Sequence, residues 1–96
     1  MAQAPKALSD AEVEQGAAQL TGWTVAAKSL EKEYRFKDFA DALAFVNRLG
    51  AAAEEQGHHP DVYLTWGKVR VTLSTHSLGG LSANDFQLAA AADRLV

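Results

Sequence analysis

The sequence predicts a single α+β domain, in which a four-stranded antiparallel sheet carries three helices on one face in the order α-β-β-α-β-β-α. Three segments begin with residues that cap helices. Four short segments alternate apolar and polar residues, as half-buried strands do. The length of 96 residues fits one domain, spanning 1–96. Helices and antiparallel strands in this proportion are typical of one sheet covered by helices.

The first helix is predicted from Ser9 to about Leu20. Ser9 stands three residues before Glu12, which is the spacing of a capping box, and a Thr-Gly pair ends the helix. Residues 23–36 then alternate imperfectly and predict two short antiparallel strands joined near Lys28-Ser29.

The second helix is predicted from about Phe39 to Gln56, because Asp38 can cap its start and Gly57 can end it. It is the clearest helix of the chain, since six apolar residues repeat at helical spacing. They are Phe39, Ala42, Leu43, Val46, Leu49 and Ala53.

The second pair of strands is predicted at Val62–Trp66 and Val69–Leu73, with Gly67-Lys68 as the turn. If these strands pair about Gly67, Asp61 and Thr75 lie near each other at the open end of the hairpin. That pairing would bring two histidine-bearing segments together.

The last helix is predicted from Ser82 to the C-terminus, because Ser82 and Asp85 repeat the capping-box spacing. Apolar residues lie on two of its faces, one containing Phe86 and the other Leu88. A helix that is apolar on two sides usually has two burial partners, so we expect the second partner to be another subunit.

Composition excludes several classes of function. The chain has no cysteine, which excludes disulfides, thiolate nucleophiles and Fe–S clusters. Its net charge of −3 argues against a dedicated nucleic-acid binder. No apolar run reaches the ~20 residues of a membrane span, and the first residues lack the layout of a signal peptide. We therefore expect a cytoplasmic protein, with no membrane or nucleic-acid partner, that works through histidine, carboxylate and hydroxyl groups.

All three histidines lie close together in the sequence, as His58, His59 and His76. Histidine titrates nearest neutrality and is the natural acid–base group. Strand parity places His76 on the polar face with Thr72, opposite the core. A surface role and a zinc site are the alternatives, but adjacent residues of an extended chain point to opposite faces, which disfavours a shared ion.

The segment from Glu54 to Pro60, together with Trp66, His76 and Asp85, resembles the signature of the pterin-4a-carbinolamine dehydratases. The motif reads Glu-Glu-Gln-Gly-His-His-Pro, and the strand that precedes His76 ends in Leu-Ser-Thr. The similarity extends from about Leu8 to Val96.

The resemblance implies a dehydratase that converts a 4a-hydroxytetrahydropterin into quinonoid dihydropterin and water, without a metal or redox cofactor. This reaction recycles tetrahydropterin, such as tetrahydrobiopterin, for aromatic amino acid hydroxylases. The family fold has the element order read above, and its members form homodimers or homotetramers.

The resemblance also implies the site residues. The histidines that match the catalytic positions are His58, His59 and His76, of which His59 helps to hold the substrate. The residues at the substrate-binding positions are Glu54, Gly57, Ser74, Thr75, Ser77 and Asp85. Gly57 and Ser77 differ there from well-known animal members, and the two acidic residues are expected to orient histidines or to bind the pterin. The alternative is a binding or regulatory module without catalysis on the same fold.

Overall fold

The computed structural model describes residues 6–96. The expectation that the first residues lack the layout of a signal peptide falls partly on residues 1–5, which lie outside the described range. The helices and strands follow the predicted order α-β-β-α-β-β-α, which confirms the fold class. They are α1 (Asp10–Ala18), β1 (Thr24–Ala26), β2 (Ser29–Arg35), α2 (Phe39–Gln56), β3 (Asp61–Thr65), β4 (Lys68–Leu73), a short 3-10 helix (His76–Leu78) and α3 (Ala83–Arg94).

The sheet is antiparallel throughout and has the strand order β1-β2-β4-β3. Its inner face is apolar, because Val69, Val71 and Leu73 of β4 are fully buried. Leu30 lies opposite Leu73 and continues this face onto β2. The residues between them on β4, such as Arg70, point to the other face, which stays polar.

The predicted helix starts are confirmed. Ser9 and Glu12 form the capping box of α1, although the helix ends at Ala18, two residues before the predicted Leu20. The Asp38 side chain accepts a hydrogen bond from the Asp41 backbone at the start of α2. Gly57 ends α2 in the left-handed conformation, with φ of 65°, as its sequence position predicted.

The buried face of α2 is narrower than its apolar stripe. Ala42, Phe45 and Leu49 are fully buried, whereas Phe39 and Leu43 are 44% and 40% exposed. Phe39 and Leu43 therefore form an apolar surface on the side of α2 that turns away from the sheet.

The second hairpin turns one residue earlier than the sequence suggested. Thr65 pairs with Lys68 across a two-residue turn, so Asp61 lies opposite Thr72 and not near Thr75. The predicted turn was placed one residue too late, because Trp66 belongs to the turn and not to the strand. Thr75 instead pairs with Gly80 and bonds to Asp85.

Both apolar faces of α3 are covered within the chain. Leu88, Ala89 and Ala92 are fully buried in the core. On the other side the Phe86 ring lies so close to α1 that a Cβ atom on Gly16 would be 2.8 Å from it. The two-faced pattern thus reflects burial against α1 and the core and gives no support for a second subunit. Among the helices of residues 6–96, none is long and apolar enough to cross a bilayer.

Candidate active site

His58 is held by a buried carboxylate. The left-handed turn at Gly57 reverses the chain after α2, and the His58 backbone N–H donates to Ala53 O at 3.1 Å. The His58 side chain then meets Asp85, with Nε2 2.6 Å from Oδ1. Asp85 is fully buried, while the His58 side chain keeps 11% of its surface exposed.

The second oxygen of Asp85 is also fully engaged. Oδ2 accepts a hydrogen bond from the Thr75 hydroxyl at 2.7 Å and from the Ser82 backbone N–H at 2.9 Å. The Thr75 and Ser82 hydroxyls are themselves 2.7 Å apart. We call His58, Thr75, Ser82 and Asp85 the Asp85 cluster; it ties the end of α2, the end of β4 and the start of α3 together.

His59 has a different environment from His58. Its Nε2 pairs with Glu54 Oε2 on the surface, where the two side chains are 61% and 76% exposed. Adjacent histidines thus reach separate carboxylates, one exposed and one buried. Within residues 6–96, no group of three or more His, Cys, Asp or Glu side chains is arranged to hold a metal ion.

His76 lies beyond the end of β4, but the alternation of buried and exposed residues continues to it. The strand ends at Leu73, Thr75 turns inwards and pairs with Gly80 instead, and His76 begins the 3-10 helix. Parity predicted an outward-facing His76, and its exposure next to the buried Thr75 agrees, although the chain has already left the sheet. His76 is exposed at the mouth of a cavity of about 280 Å³.

That cavity combines predicted and unpredicted residues. Ser74, Thr75 and His76 form one wall, and the turn between β1 and β2, residues 26–29, forms the other. Ala27 in this turn has φ of 55°, a conformation that non-glycine residues seldom adopt. Nothing in the local sequence connects this turn with His76, because only the folding of the sheet brings the two segments together.

The remaining predicted site residues fall into two groups, one exposed to solvent and one buried. Gly57, Ser77 and Glu54 are exposed, and Ser74 is half-buried. Thr75 is 5% exposed and Asp85 is 0% exposed, with the hydroxyl and both carboxylate oxygens already bonded. Of the two roles expected for Asp85, orienting a histidine fits this burial and direct contact with a substrate does not.

Ser82 is the site residue that sequence reasoning missed. Its spacing from Asp85 identified a helix cap, and the capping box is present. The same two residues also build the Asp85 cluster, which links the cap to a histidine 27 residues away. The sequence did contain a signal for Ser82. Its capping-box partner, Asp85, is also part of the signature that contains the histidines.

Comparison with known proteins places the chain in one family. The family model described as "Pterin 4 alpha carbinolamine dehydratase" matches residues 6–95. A Trichormus variabilis protein, provisionally named a pterin-4-alpha-carbinolamine dehydratase, is 49% identical over 83 residues, covering 86% of this chain and 89% of its own. A Rubrobacter xylanophilus protein with the same provisional name is 47% identical over 89 residues, covering 92% and 83%.

Two solved structures resemble the fold. A transcriptional coactivator/pterin dehydratase from Brucella melitensis superposes with a TM-score of 0.90 at 28% identity, over 94% of this chain and 98% of that one. A pterin dehydratase-like protein, identified as a RuBisCO assembly factor in the alpha-carboxysome, gives a TM-score of 0.63 at 28% identity, over 76% and 84%.

Proposed function

The chain belongs to the pterin 4α-carbinolamine dehydratase family, and on that premise we propose that it dehydrates a 4a-hydroxytetrahydropterin by histidine acid–base catalysis. The product would be quinonoid dihydropterin, and the cellular role would be the recycling of tetrahydropterin for aromatic amino acid hydroxylases. Family membership supports the dehydratase activity; the mechanism and the recycling role are our proposals.

The reaction requires two proton transfers and no electron transfer. One group protonates the departing hydroxyl as the C–O bond breaks, which releases water. Another group removes the proton from the neighbouring ring N–H, whose electron pair forms the new C=N bond. Groups that titrate near neutrality serve both transfers, and each positioned acid or base typically contributes about 10²–10⁴-fold to the rate.

The observation that carries the proposal is the proximity of the two histidine segments through one buried cluster. His58 bonds to Asp85, Asp85 bonds to Thr75, and Thr75 is covalently followed by His76. Two acid–base side chains are thus attached to a common rigid anchor although 17 residues lie between them in the sequence.

The surrounding residues supply positions for binding the substrate. His59 with Glu54 forms a polar pair on the surface next to His58. Ser74 lines the cavity at His76, and its hydroxyl can donate to or accept from the edge of a pterin ring. Gly57 and Ser77 are exposed on the two segments that carry the histidines and complete the proposed binding surface.

The test is an ultraviolet assay of carbinolamine dehydration with His58→Ala and His76→Ala. We expect each variant to lose about 10²–10⁴-fold in kcat/KM, since each removes one proton-transfer group. Glu55→Gln is the matched control, because Glu55 is exposed beside Glu54 and belongs to no part of the proposed site. Rates equal to wild type in both histidine variants, with the fold verified by circular dichroism, would reject the proposal.

A second candidate function is a non-catalytic assembly role on the same fold. The observation that favours it is the likeness to the solved pterin dehydratase-like protein identified as an assembly factor. A wild-type chain without turnover that captures a protein partner in stoichiometric amount would support this role. Turnover that depends on His58 and His76 would favour the dehydratase.

We further propose that residues 1–96 act as one domain within a homodimer or homotetramer, as the family resemblance implies. The exposed apolar pair Phe39 and Leu43 on α2 is compatible with such association. The cytoplasmic location stays a prediction from the sequence.

A further inference from the structure

The two nitrogens of the His58 ring have different surroundings. Nε2 lies 2.6 Å from Asp85 Oδ1, in a part of the molecule where the carboxylate is fully buried. Nδ1 makes no hydrogen bond to the described residues. Nδ1 also keeps contact with the surface. Among residues 6–96, the side-chain nitrogen or oxygen that is both buried and without a hydrogen-bond partner is Gln56 Oε1, and His58 Nδ1 is not in that class. One side of the ring is therefore anchored and the other is free.

The contacts of Asp85 determine which nitrogen carries the proton. Asp85 accepts from the Thr75 hydroxyl and from the Ser82 backbone N–H at Oδ2. An ionised carboxylate can only accept hydrogen bonds, so the third partner, His58 Nε2, must be a donor. The neutral His58 ring is thus held as the Nε2–H tautomer, with its lone pair on Nδ1.

Resting on the proposed function, we infer that His58 exchanges its proton with the substrate through Nδ1 and that Asp85 is the positioning residue that keeps Nε2 protonated. The ring gains or loses a single proton at Nδ1, while the Nε2–H bond to Asp85 remains throughout. As a base, Nδ1 takes the proton of the ring N–H. If His58 is instead the acid and His76 the base, the doubly protonated ring donates its Nδ1 proton to the leaving hydroxyl, which departs as water.

The buried position of Asp85 makes this arrangement strict. At 0% exposure the carboxylate is not replaced by water, so Asp85 remains the partner of Nε2. The pair formed by His59 and Glu54 is the natural contrast in the same chain, because both side chains are exposed and solvent can substitute for either partner. The buried carboxylate therefore fixes the tautomer of His58, whereas the exposed carboxylate has only a weak effect on the tautomer of His59.

Asp85→Asn tests the inference because asparagine has nearly the same shape as aspartate but carries one NH₂ donor group in place of an acceptor oxygen. The Ser82 backbone N–H is an obligatory donor, so the amide oxygen of the asparagine must turn towards Ser82 and Thr75. Its NH₂ group then faces His58 Nε2, which must become an acceptor. The neutral ring shifts to the Nδ1–H tautomer and loses the lone pair that would react.

The first readout is the tautomer itself, from ¹⁵N chemical shifts of the imidazole nitrogens by NMR, which needs no substrate. We expect wild-type His58 to be Nε2–H when neutral and Asp85→Asn to convert it to Nδ1–H. Glu54→Gln is the matched control and should leave the His58 signals unchanged. A wild-type His58 in the Nδ1–H tautomer overturns the inference even if the asparagine variant fails to fold.

The second readout is the dehydration assay on the same proteins. We expect kcat of Asp85→Asn to fall by about 10²–10⁴-fold with little change in KM, because the sealed carboxylate does not touch the substrate. An unchanged kcat in a variant whose tautomer has shifted overturns the role of Nδ1. A wild-type protein with the expected tautomer but no turnover would instead reject the proposed function and leave the positioning of His58 by Asp85 intact.

Discussion

Asp93, near the end of α3, gathers three hydrogen-bond donors that are far away in the sequence. Its carboxylate accepts from Tyr34 OH at 2.5 Å, Lys32 Nζ at 2.8 Å and Trp23 Nε1 at 3.1 Å. Burial alone would raise the pKa of Asp93, but the hydrogen bonds from Lys32, Tyr34 and Trp23 outweigh it and lower that pKa. The pKa of Tyr34 is raised, first by burial and then by its bond to Asp93. Asp93 therefore fastens α3 to β2 and to the residue before β1.

We predict that Asp93→Asn removes part of the acid dependence of stability. A carboxyl group with a lowered folded pKa stabilises the protein above its ordinary pKa of about 3.9, and this contribution is lost as pH falls through the folded value. At pH 7 the variant should lose about 1–3 kcal/mol of unfolding free energy, measured by urea denaturation. At pH 3 the difference from wild type should shrink.

Glu33→Gln is the control for Asp93, because Glu33 forms an exposed ion pair with Arg35 at 2.8 Å. Such pairs contribute roughly 0–1 kcal/mol, so its effect should be small at either pH. An equal loss of stability between pH 7 and pH 3 in wild type and Asp93→Asn would contradict the role given to Asp93.

At the scale of elements, the helices differ in how closely they approach their neighbours. Gly16 lies where α1 meets α3, and a Cβ atom there would be 2.8 Å from the Phe86 ring. Gly50 lies on the exposed side of α2, where an added Cβ atom would meet nothing within 4 Å. Close packing therefore explains the glycine in α1 but not the glycine in α2.

We predict opposite effects for alanine at these two glycines. Gly50→Ala should raise the unfolding free energy by about 0.5–1 kcal/mol, because alanine is the better helix former and no contact within the chain opposes it. Gly16→Ala should lower it by about 1–3 kcal/mol, because the steric conflict with Phe86 exceeds the gain in helix propensity. Denaturant midpoints of the two variants, made in the same background, measure the difference. A stabilising Gly16→Ala would show that α1 moves away from α3 at little cost.

For the whole molecule, one apolar surface without an assigned role lies on α2. Phe39 and Leu43 are one helical turn apart and both are about two-fifths exposed. Large apolar side chains that remain adjacent on a surface often mark an interaction site. The core itself is complete without them, since the face of α2 towards the sheet is formed by Ala42, Phe45, Leu49 and Ala53.

We predict that Leu43→Lys reduces the mass measured by light scattering while the chain stays folded. A charged side chain at this position would be buried without a partner in an association through α2, which is costly. Val25→Lys is the control, because Val25 is similarly exposed but lies on β1. A monomeric wild-type protein at working concentration would contradict the proposed homo-oligomer, and an oligomer unaffected by Leu43→Lys would place its interface elsewhere.

Local sequence determined the elements and most of the chemistry. The capping box at Ser9, the cap at Asp38 and the terminal Gly57 each act over a few residues, so their positions could be predicted. The bounds of α2 were predicted to the residue for the same reason. The three histidines and their neighbours were also recognisable, because their order and spacing along the chain carry the family signature.

Tertiary structure alone decided how those residues work together. A two-residue turn after Thr65 set the register that the alternation of residues left open, and the exit of the chain at Leu73 placed His76 outside the sheet. Asp85 was readable as a cap, but its bonds to His58 and Thr75 depend on α3 docking against two distant segments. Local patterns report contacts over a few residues, whereas hydrogen bonds across 10 and 27 residues exist only once the core has closed.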